Sequence, residues 1–147
     1  MSNTFEILAR GLCYDGKWRE GDLCHHRDGS VTIRPIGSTD GLGYYVKRET
    51  VTPYVQRTDK NGKKVFLFDV VRMKGTYADS GETYDELWYV GYNYEKNIFC
   101  INGKSYEEFP SQEQFLEECE VVGSLFDEDT KFLYETVQTC RRAEVAR

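Results

Sequence analysis

The apolar residues of this chain are distributed in short runs separated by turns, as is typical of strands. Val31 and Ile33 alternate with Thr32 and Arg34, which is the period of a half-buried strand. Glycine, aspartate and asparagine at the junctions favour hairpin turns. Comparable runs occupy residues 5–10, 18–24, 44–47, 50–55, 87–92, 98–101 and 120–126. The pattern predicts a mainly β fold that begins as an antiparallel meander of short strands.

Residues 58–73 form the stretch around which the other strands are expected to pack. Asn61 and Gly62 both tolerate positive φ, as a tight hairpin turn requires. Residues 65–73 follow as an apolar, β-branched run of about the length of one buried strand. Residues 74–86 are polar and contain Gly75 and Gly81, and they predict a long exposed loop.

Two segments have helical patterns. Ser111 and Gln114 have the spacing of a capping box and predict a short helix near residues 111–119. After residue 127 the less polar side chains recur at helical spacing: Phe132, Leu133, Thr136, Val137 and Cys140. An isolated helix of this length is marginal in water, so its apolar stripe must pack on something. The helix could pack on the strands of its own chain or on a neighbouring chain. We favour the second and predict that Phe132, Leu133 and Val137 take part in self-association.

Composition narrows the choice of partners. The chain has 147 residues, which fits one domain with a subdomain, and a net charge of −6, which weakens attraction to a phosphate backbone. It has no apolar run long enough to span a membrane and no signal-peptide pattern at its start. The five cysteines include no C-x-x-C pair and are expected to be reduced. These features predict a cytoplasmic protein without a membrane partner.

Several residues suggest chemistry without a matching motif. Cys13, Cys24, His25 and His26 are potential ligands, but their spacing fits no usual zinc pattern. Adjacent histidines in a strand also point to opposite faces. A structural or solvated role is therefore favoured over a metal site. No catalytic residue, metal or cofactor is predicted.

Two other patterns, a possible pair of carboxylates and a glycine-rich segment, suggest functional sites but also have structural explanations. Asp22 and Asp69 each follow a Gly-Lys turn and are candidates for a pair of carboxylates; backbone hydrogen bonding at a strand entry is the favoured alternative. The glycines of residues 37–43 resemble a phosphate loop in spacing. No helical pattern follows them, so a flexible loop is predicted.

Aromatic side chains provide the candidate binding surface. Most of these aromatic residues are expected to be half-buried in the sheets. The others could form a platform for peptides or single strands, as tyrosines on small β proteins do. Because the chain is acidic, protein partners are favoured over nucleic acid. The predicted binding residues are Tyr44, Tyr45, Tyr77, Tyr84, Trp88 and Tyr92.

Motifs in the middle and later parts of the chain carry a family resemblance. They are the segment Asp-Lys-Asn-Gly-Lys at 59–63, Asp-Val-Val at 69–71, and Glu-Val-Val-Gly-Ser-Leu-Phe at 120–126. In this order they resemble the YopX family of phage and prophage proteins, over roughly residues 5–128. Phe68 stands where the family usually has glycine, and residues 56–58 replace Thr-Gly-Leu, so the chain resembles a divergent member. The resemblance implies a β protein whose later part is an SH3-like barrel. The family has no established activity, so it implies no catalytic residues.

Together these observations predict three segments and one class of function. Residues 1–57 are an N-terminal β subdomain, residues 58–128 an SH3-like barrel and residues 129–147 a C-terminal helix. The predicted protein is a non-enzymatic, phage- or prophage-encoded binding module that acts through protein contacts, including self-association as a homo-oligomer. The alternative is a nucleic-acid-binding β-barrel. That alternative requires five basic residues to converge beside exposed aromatics: Lys60, Lys63, Lys64, Arg72 and Lys74.

Overall fold

The chain divides into two compact units, Met1–Gln56 and Arg57–Arg147. The computed structural model describes residues 4–39, 41, 43–101 and 116–145, with side chains up to residue 139. Its elements are antiparallel strands and one C-terminal helix, so the predicted mainly β fold is confirmed. The elements are β1 (Ala9–Leu12), β2 (Trp18–His25), β3 (Val31–Pro35), β4 (Tyr44–Val46), a 3-10 turn (Arg48–Thr50), β5 (Thr52–Thr58), β6 (Lys64–Phe66), β7 (Asp69–Thr76), β8 (Thr83–Asn93), β9 (Ile98–Ile101), β10 (Glu120–Ser124) and α1 (Glu128–Val145).

The first unit is a curved antiparallel sheet with one apolar face. Its strands follow the order β4-β3-β2-β1-β5. Side chains from β1, β3 and β4 meet on the inner face, where Val31, Ile33 and Val46 are almost fully buried. Cys13, just beyond β1, forms a bridge to Val46 and closes the sheet around this core. The outer face of the same strands is therefore left to polar side chains.

The second unit contains a four-stranded sheet in the order β10-β7-β8-β9. The prediction of one strand over residues 65–73 is wrong, because the chain turns at Leu67 and Phe68 between β6 and β7. The buried Asp69 carboxylate accepts the Phe66 N–H at 2.9 Å and stabilises this turn. The closure of the sheet into an SH3-like barrel stays a prediction.

Phe68 adopts a backbone conformation that bulky residues avoid. Its φ is +68°, in the left-handed region. Its N–H donates to the Val90 carbonyl at 2.8 Å, and its own carbonyl accepts the Leu125 N–H at 2.9 Å. Its ring packs edge-on against Phe126 with centroids 5.8 Å apart. Hydrogen bonds on both sides thus hold Phe68 in an unfavourable region.

Residues 74–86 form a hairpin, so the predicted long loop is wrong. Lys74 pairs with Asp85, Gly75 with Tyr84 and Thr76 with Thr83. Cross-strand contacts explain the pairing. The Arg72 Nε donates to Asp85 at 2.7 Å, and glycine at position 75 leaves the space that the Tyr84 ring occupies.

The loop between β5 and β6 is organised by the side chain of Asp59. The carboxylate accepts N–H groups from Asn61 at 2.8 Å, Lys63 at 2.9 Å and Val121 at 3.0 Å. Lys60 adds a hydrogen bond from its N–H to the Cys119 carbonyl at 2.9 Å. Asp59 is only 4% exposed, although its sequence context suggests a polar approach to a turn. One side chain therefore closes the loop and attaches it to the start of β10.

The pKa of Asp59 reflects two opposing effects. Burial favours the neutral form and by itself raises the pKa, but the N–H donors from Val121, Lys63 and Asn61 together outweigh burial. The pKa lies below its ordinary value. Asp59 is thus a carboxylate in the folded protein at neutral pH.

The predicted short helix near residues 111–119 is only partly described. Residues 116 and 117 are helical, and Leu116 is buried. Cys119 follows as a fully buried thiol, and burial raises its pKa to about 12. The predicted capping box of Ser111 and Gln114 lies outside the described residues.

Gly62→Ala is expected to lower the free energy of unfolding by about 1 kcal/mol. Gly62 has φ +78°, and no atom lies within 4 Å of an added Cβ, so the cost is purely conformational. The midpoint of urea denaturation measures it. Gly62→Asn is the control and should cost less, because asparagine tolerates positive φ. An Ala variant as stable as the wild type would contradict this turn geometry.

Asp59→Asn is expected to lower the free energy of unfolding at pH 7 by about 1–3 kcal/mol, because the amide replaces a charged acceptor and directs an NH2 at N–H donors. The pKa of Asp59 is lower in the folded protein than in the unfolded chain, where it is about 3.9. The charged side chain therefore contributes its full stabilisation above about pH 3.9, and this contribution is lost as the pH falls through the folded pKa.

The gap between wild type and Asp59→Asn should therefore shrink as pH falls below about 4, measured by urea denaturation at each pH. The exposed Asp79, at the tip of the β7–β8 hairpin, supplies the control variant Asp79→Asn. A gap that stays constant with pH would argue against a charged Asp59.

Phe68→Gly is expected to be more stable than Phe68→Ala by about 1 kcal/mol, because both variants lose the ring but only alanine keeps a Cβ at positive φ. Leu67 does not have positive φ, so Leu67→Gly should be less stable than Leu67→Ala, which is the opposite order. Thermal and urea unfolding of the four variants measure both differences. Equal stability of the two Phe68 variants would show that the backbone there is not strained.

Candidate interaction surfaces

The six aromatic residues predicted to bind a partner are divided between the two units. Tyr44 and Tyr45 belong to the first unit, and the other four belong to the second. Within the second unit, Tyr84 and Tyr92 lie eight residues apart on β8, a separation of about 26 Å along a strand. Within the second unit, the aromatic residues therefore form separate clusters and not one continuous platform.

Tyr44 carries an arginine on its ring. The guanidinium carbon of Arg19 lies 3.8 Å from the ring centroid, and Arg19 also forms an ion pair with Asp15 at 2.9 Å. The hydrogen bond from Arg19 is the main reason that the pKa of Asp15 falls to about 2. Tyr44 thus has one face already covered.

Tyr45 is the more open of the two, with 59% of its surface exposed. Its ring lies 6.1 Å from the ring of His26, with a tilt of 41°. His26 is positioned by a contact of 2.9 Å between its Nε2 and the Thr32 hydroxyl. The two rings form an aromatic wall on the outer face of the first unit.

A second aromatic pair lies near the tip of the β7–β8 hairpin. The rings of Tyr77 and Tyr84 are 4.9 Å apart, and Tyr77 is half exposed. Of the described strands, β10 pairs with β7 only as far as Arg72, and β9 begins its pairing with β8 at Val90. Residues 73–86 thus extend past these pairings as a two-stranded arm.

Trp88 does not belong to an exposed surface. It lies opposite Val71 in the middle of the sheet and is only 5% exposed, so its predicted place in a binding surface is corrected to the core. Tyr92 is half-buried, with its ring 5.0 Å from that of Tyr94 and 5.3 Å from that of Phe99. In the middle of β8, neighbouring residues are buried on both faces of the sheet. The abundance of tyrosine and tryptophan in the sequence does not indicate this burial.

The basic residues named for nucleic-acid binding lie on several elements. Lys60 and Lys63 belong to the β5–β6 loop, and Lys64 begins β6. Arg72 and Lys74 lie on β7, where Arg72 forms a hydrogen-bonded ion pair with Asp85 and lowers the pKa of that carboxyl. The charge of Arg72 is therefore already compensated within the arm.

The residues considered for metal binding or catalysis have structural partners or lie apart. Cys13 is buried in the core of the first unit, whereas Cys24 and His25 are exposed. In the described parts of the chain, no group of three or more histidine, cysteine or acidic residues has the geometry of a metal site. Asp22 pairs with Arg34 in the first unit, and Asp69 accepts a backbone N–H in the second.

The helix α1 packs against its own unit through its less apolar face. Thr130 lies so close to Gly123 that a Cβ there would overlap its hydroxyl. Tyr134 meets Tyr89 edge-on at 5.6 Å, and the Gln138 amide donates to the Leu87 carbonyl at 3.2 Å. These three helix residues are four apart and lie on one face.

The apolar residues of α1 lie mainly on the other side. Phe132 is two residues from both Thr130 and Tyr134, which is about 200° around a helix. It is 72% exposed, and its neighbour Leu133 is 47% exposed. Val137 is half-buried at the edge of the packed face. The predicted stripe is thus divided, and its two largest members face away from the unit.

Sequence reasoning missed a cavity of about 470 Å³ on the outer face of the first unit. Its lining comes from β2, β3, β4 and two glycines ahead of β4, Gly41 and Gly43, and includes Asp22, Arg34 and Tyr45. The alternation of β3 predicts Thr32 and Arg34 on its polar face, and Asp22, Tyr45 and the glycines of residues 37–43 were each singled out separately, but no sequence pattern groups them into one site. Which residues of β2 and β4 lie beside Thr32 and Arg34 depends on strand register.

Comparison with known proteins does not assign a role to these surfaces. No helix in the described ranges is both long and apolar enough to cross a membrane. Compared with known protein families and with curated proteins, the chain matches none of them.

Proposed function

We propose that this protein is a binding module that acts through protein contacts and associates with a second copy of itself through the outer face of α1. The observation that supports this most strongly is the orientation of the helix. Thr130, Tyr134 and Gln138 face its own unit, while Phe132 and Leu133 are exposed on the other side. A solvent-facing helix surface normally carries polar residues at such positions.

The energetic reason for association is the apolar area that the helix leaves in water. Burying Phe132 and Leu133 would contribute roughly 3–6 kcal/mol per copy before the entropic cost of association. In a symmetric dimer each copy contributes the same patch, so the gain is doubled. Additional contacts would have to come from the flanks of the helix.

The order of charges along the helix sequence favours an antiparallel pair. The helix sequence begins with Glu128 and Asp129, and its last turns contain Arg141 and Arg142 together with one acidic residue, Glu144. In an antiparallel pair centred near Thr136, the acidic start of one copy meets the basic end of the other. In a parallel pair, like charges would meet at both ends.

The nucleic-acid alternative has less support. The β7–β8 arm contains one basic residue, Lys74, and four acidic residues, so its formal charge is negative: Asp79, Glu82, Asp85 and Glu86. A two-stranded ribbon that enters a DNA groove needs the opposite charge.

A phage or prophage origin remains part of the proposal through the YopX resemblance. One backbone feature supports that resemblance. Phe68 has φ +68° at the position where the family usually has glycine, the residue that adopts this conformation without strain. Glycine at this position would adopt the same positive φ without strain, and this is the support that the backbone gives to the proposal.

The double variant Phe132→Ser/Leu133→Ser tests self-association. We expect the wild type to have a molar mass by light scattering that rises with concentration toward twice the monomer mass, and the variant to remain monomeric. The exposed pair Ile7 and Ile36, in the first unit, supplies the matched control Ile7→Ser/Ile36→Ser, which should associate like the wild type.

Charge reversal then tests the direction of pairing. Glu128→Lys/Asp129→Lys should weaken association, and adding Arg141→Glu/Arg142→Glu should restore it, because the antiparallel pairs are re-formed. A monomeric wild type at all concentrations would refute self-association. A dimer unaffected by the two serines would refute this helix face as its interface.

A further inference from the structure

The cavity on the outer face of the first unit brings together side chains that no other feature explains. The register of the sheet places Asp22 beside Arg34, Cys24 beside Thr32, and Thr32 beside Tyr45. Residues directly opposite on antiparallel strands share a face. The other face of β3 and β4 carries the buried core, so this polar face does not contribute to it.

Two glycines ahead of β4 form one border of this cavity. Gly41 and Gly43 line the cavity. A Cβ on Gly43 would lie 2.9 Å from the Thr32 Cβ, so the loop backbone lies directly on the sheet at this point. Gly37 and Gly41 have φ of +84° and +71°, which most other residues avoid. The volume, about 470 Å³, is within the usual range for small-molecule sites.

The lining combines a flat aromatic wall with a hydrogen-bonding pair. Tyr45 presents an exposed ring beside His26, as described above. A carboxylate oxygen of Asp22 lies 3.6 Å from a guanidinium nitrogen of Arg34, and both side chains are about half exposed. The Asp22 carboxylate, which accepts hydrogen bonds, and the Arg34 guanidinium, which donates them, therefore lie side by side. Both remain accessible to a ligand.

The opposite charges of Asp22 and Arg34 limit the kinds of ligand that the cavity can bind. The negative charge of Asp22 disfavours the binding of a phosphate or another anion. The positive charge of Arg34 disfavours the binding of a simple cation. A neutral ligand that presents adjacent donors and acceptors satisfies both side chains. The aromatic wall adds a preference for a planar ligand that can stack.

We propose that this cavity binds a guanine base, as a free nucleoside. Guanine carries two adjacent donors, N1–H and N2–H, which match a carboxylate, and acceptors at O6 and N7, which match the arginine fork. Tyr45 stacks on the ring. Adenine and cytosine each lack part of this pattern. This site belongs to the first unit and does not depend on the self-association of α1.

Titration of the full-length protein with guanosine, inosine, adenosine and cytidine, followed by NMR chemical shifts, tests the proposal. Guanosine should bind most tightly. Inosine lacks the 2-amino group and should bind at least about five-fold more weakly, as expected for one lost hydrogen bond to a charged group. A guanine-containing oligonucleotide that binds more tightly than guanosine would show that the base is taken from a strand, and would overturn the free nucleoside.

Three surface variants test the residues. Tyr45→Leu should weaken guanosine binding at least about five-fold through lost stacking. Arg34→Gln should weaken it as well, and Asp22→Asn should remove the preference for guanosine over inosine. Tyr14→Leu changes another exposed tyrosine of the first unit and should bind like the wild type. Circular dichroism verifies that each variant is folded.

Two further results would overturn the proposal. One is that no nucleoside shifts the signals of Asp22, Arg34 or Tyr45. The other is that guanosine binds but Tyr45→Leu and Asp22→Asn bind it as well as the wild type and the Tyr14→Leu control.

Discussion

The buried carboxylate of Asp59 connects two distant segments of the second unit. Asp59 takes three backbone N–H groups from two segments that are about sixty residues apart in the chain, the β5–β6 loop and the start of β10. A buried charge is stable only when its hydrogen-bonding capacity is used, and here the donors are backbone groups whose positions are themselves fixed by strands. The loop and β10 are therefore stabilised together.

Backbone strain is stored close to this carboxylate along the chain. Phe68 occupies the left-handed region between β6 and β7, with hydrogen bonds to Val90 and Leu125 on either side. Asp69, next in sequence, is fully buried and accepts the Phe66 N–H. Strained residues persist where surrounding contacts over-determine their conformation. The turn between β6 and β7 thus depends on partners contributed by β8 and the segment after β10.

The surfaces with potential for function lie outside these buried contacts. In the second unit α1 uses Tyr134 and Gln138 for packing, which leaves Phe132 and Leu133 in water. In the first unit the polar side of the sheet, with the glycine-rich loop, forms a cavity with an aromatic wall. In both cases one face of an element supplies stability and the opposite face remains available for binding.

Local signals in the sequence determined the strand composition, the hairpin glycine at position 62 and the C-terminal helix, because alternation, turn residues and helical spacing act over a few neighbouring residues. Four features were decided only by tertiary structure. The burial of Trp88 depends on β7 and β8 pairing in one register, and the hairpin at residues 74–86 depends on cross-strand contacts. The role of Asp59 depends on Val121, far along the chain. The lining of the cavity likewise combines residues from three strands and a loop, and their proximity is set by register, which a one-residue slip would reverse.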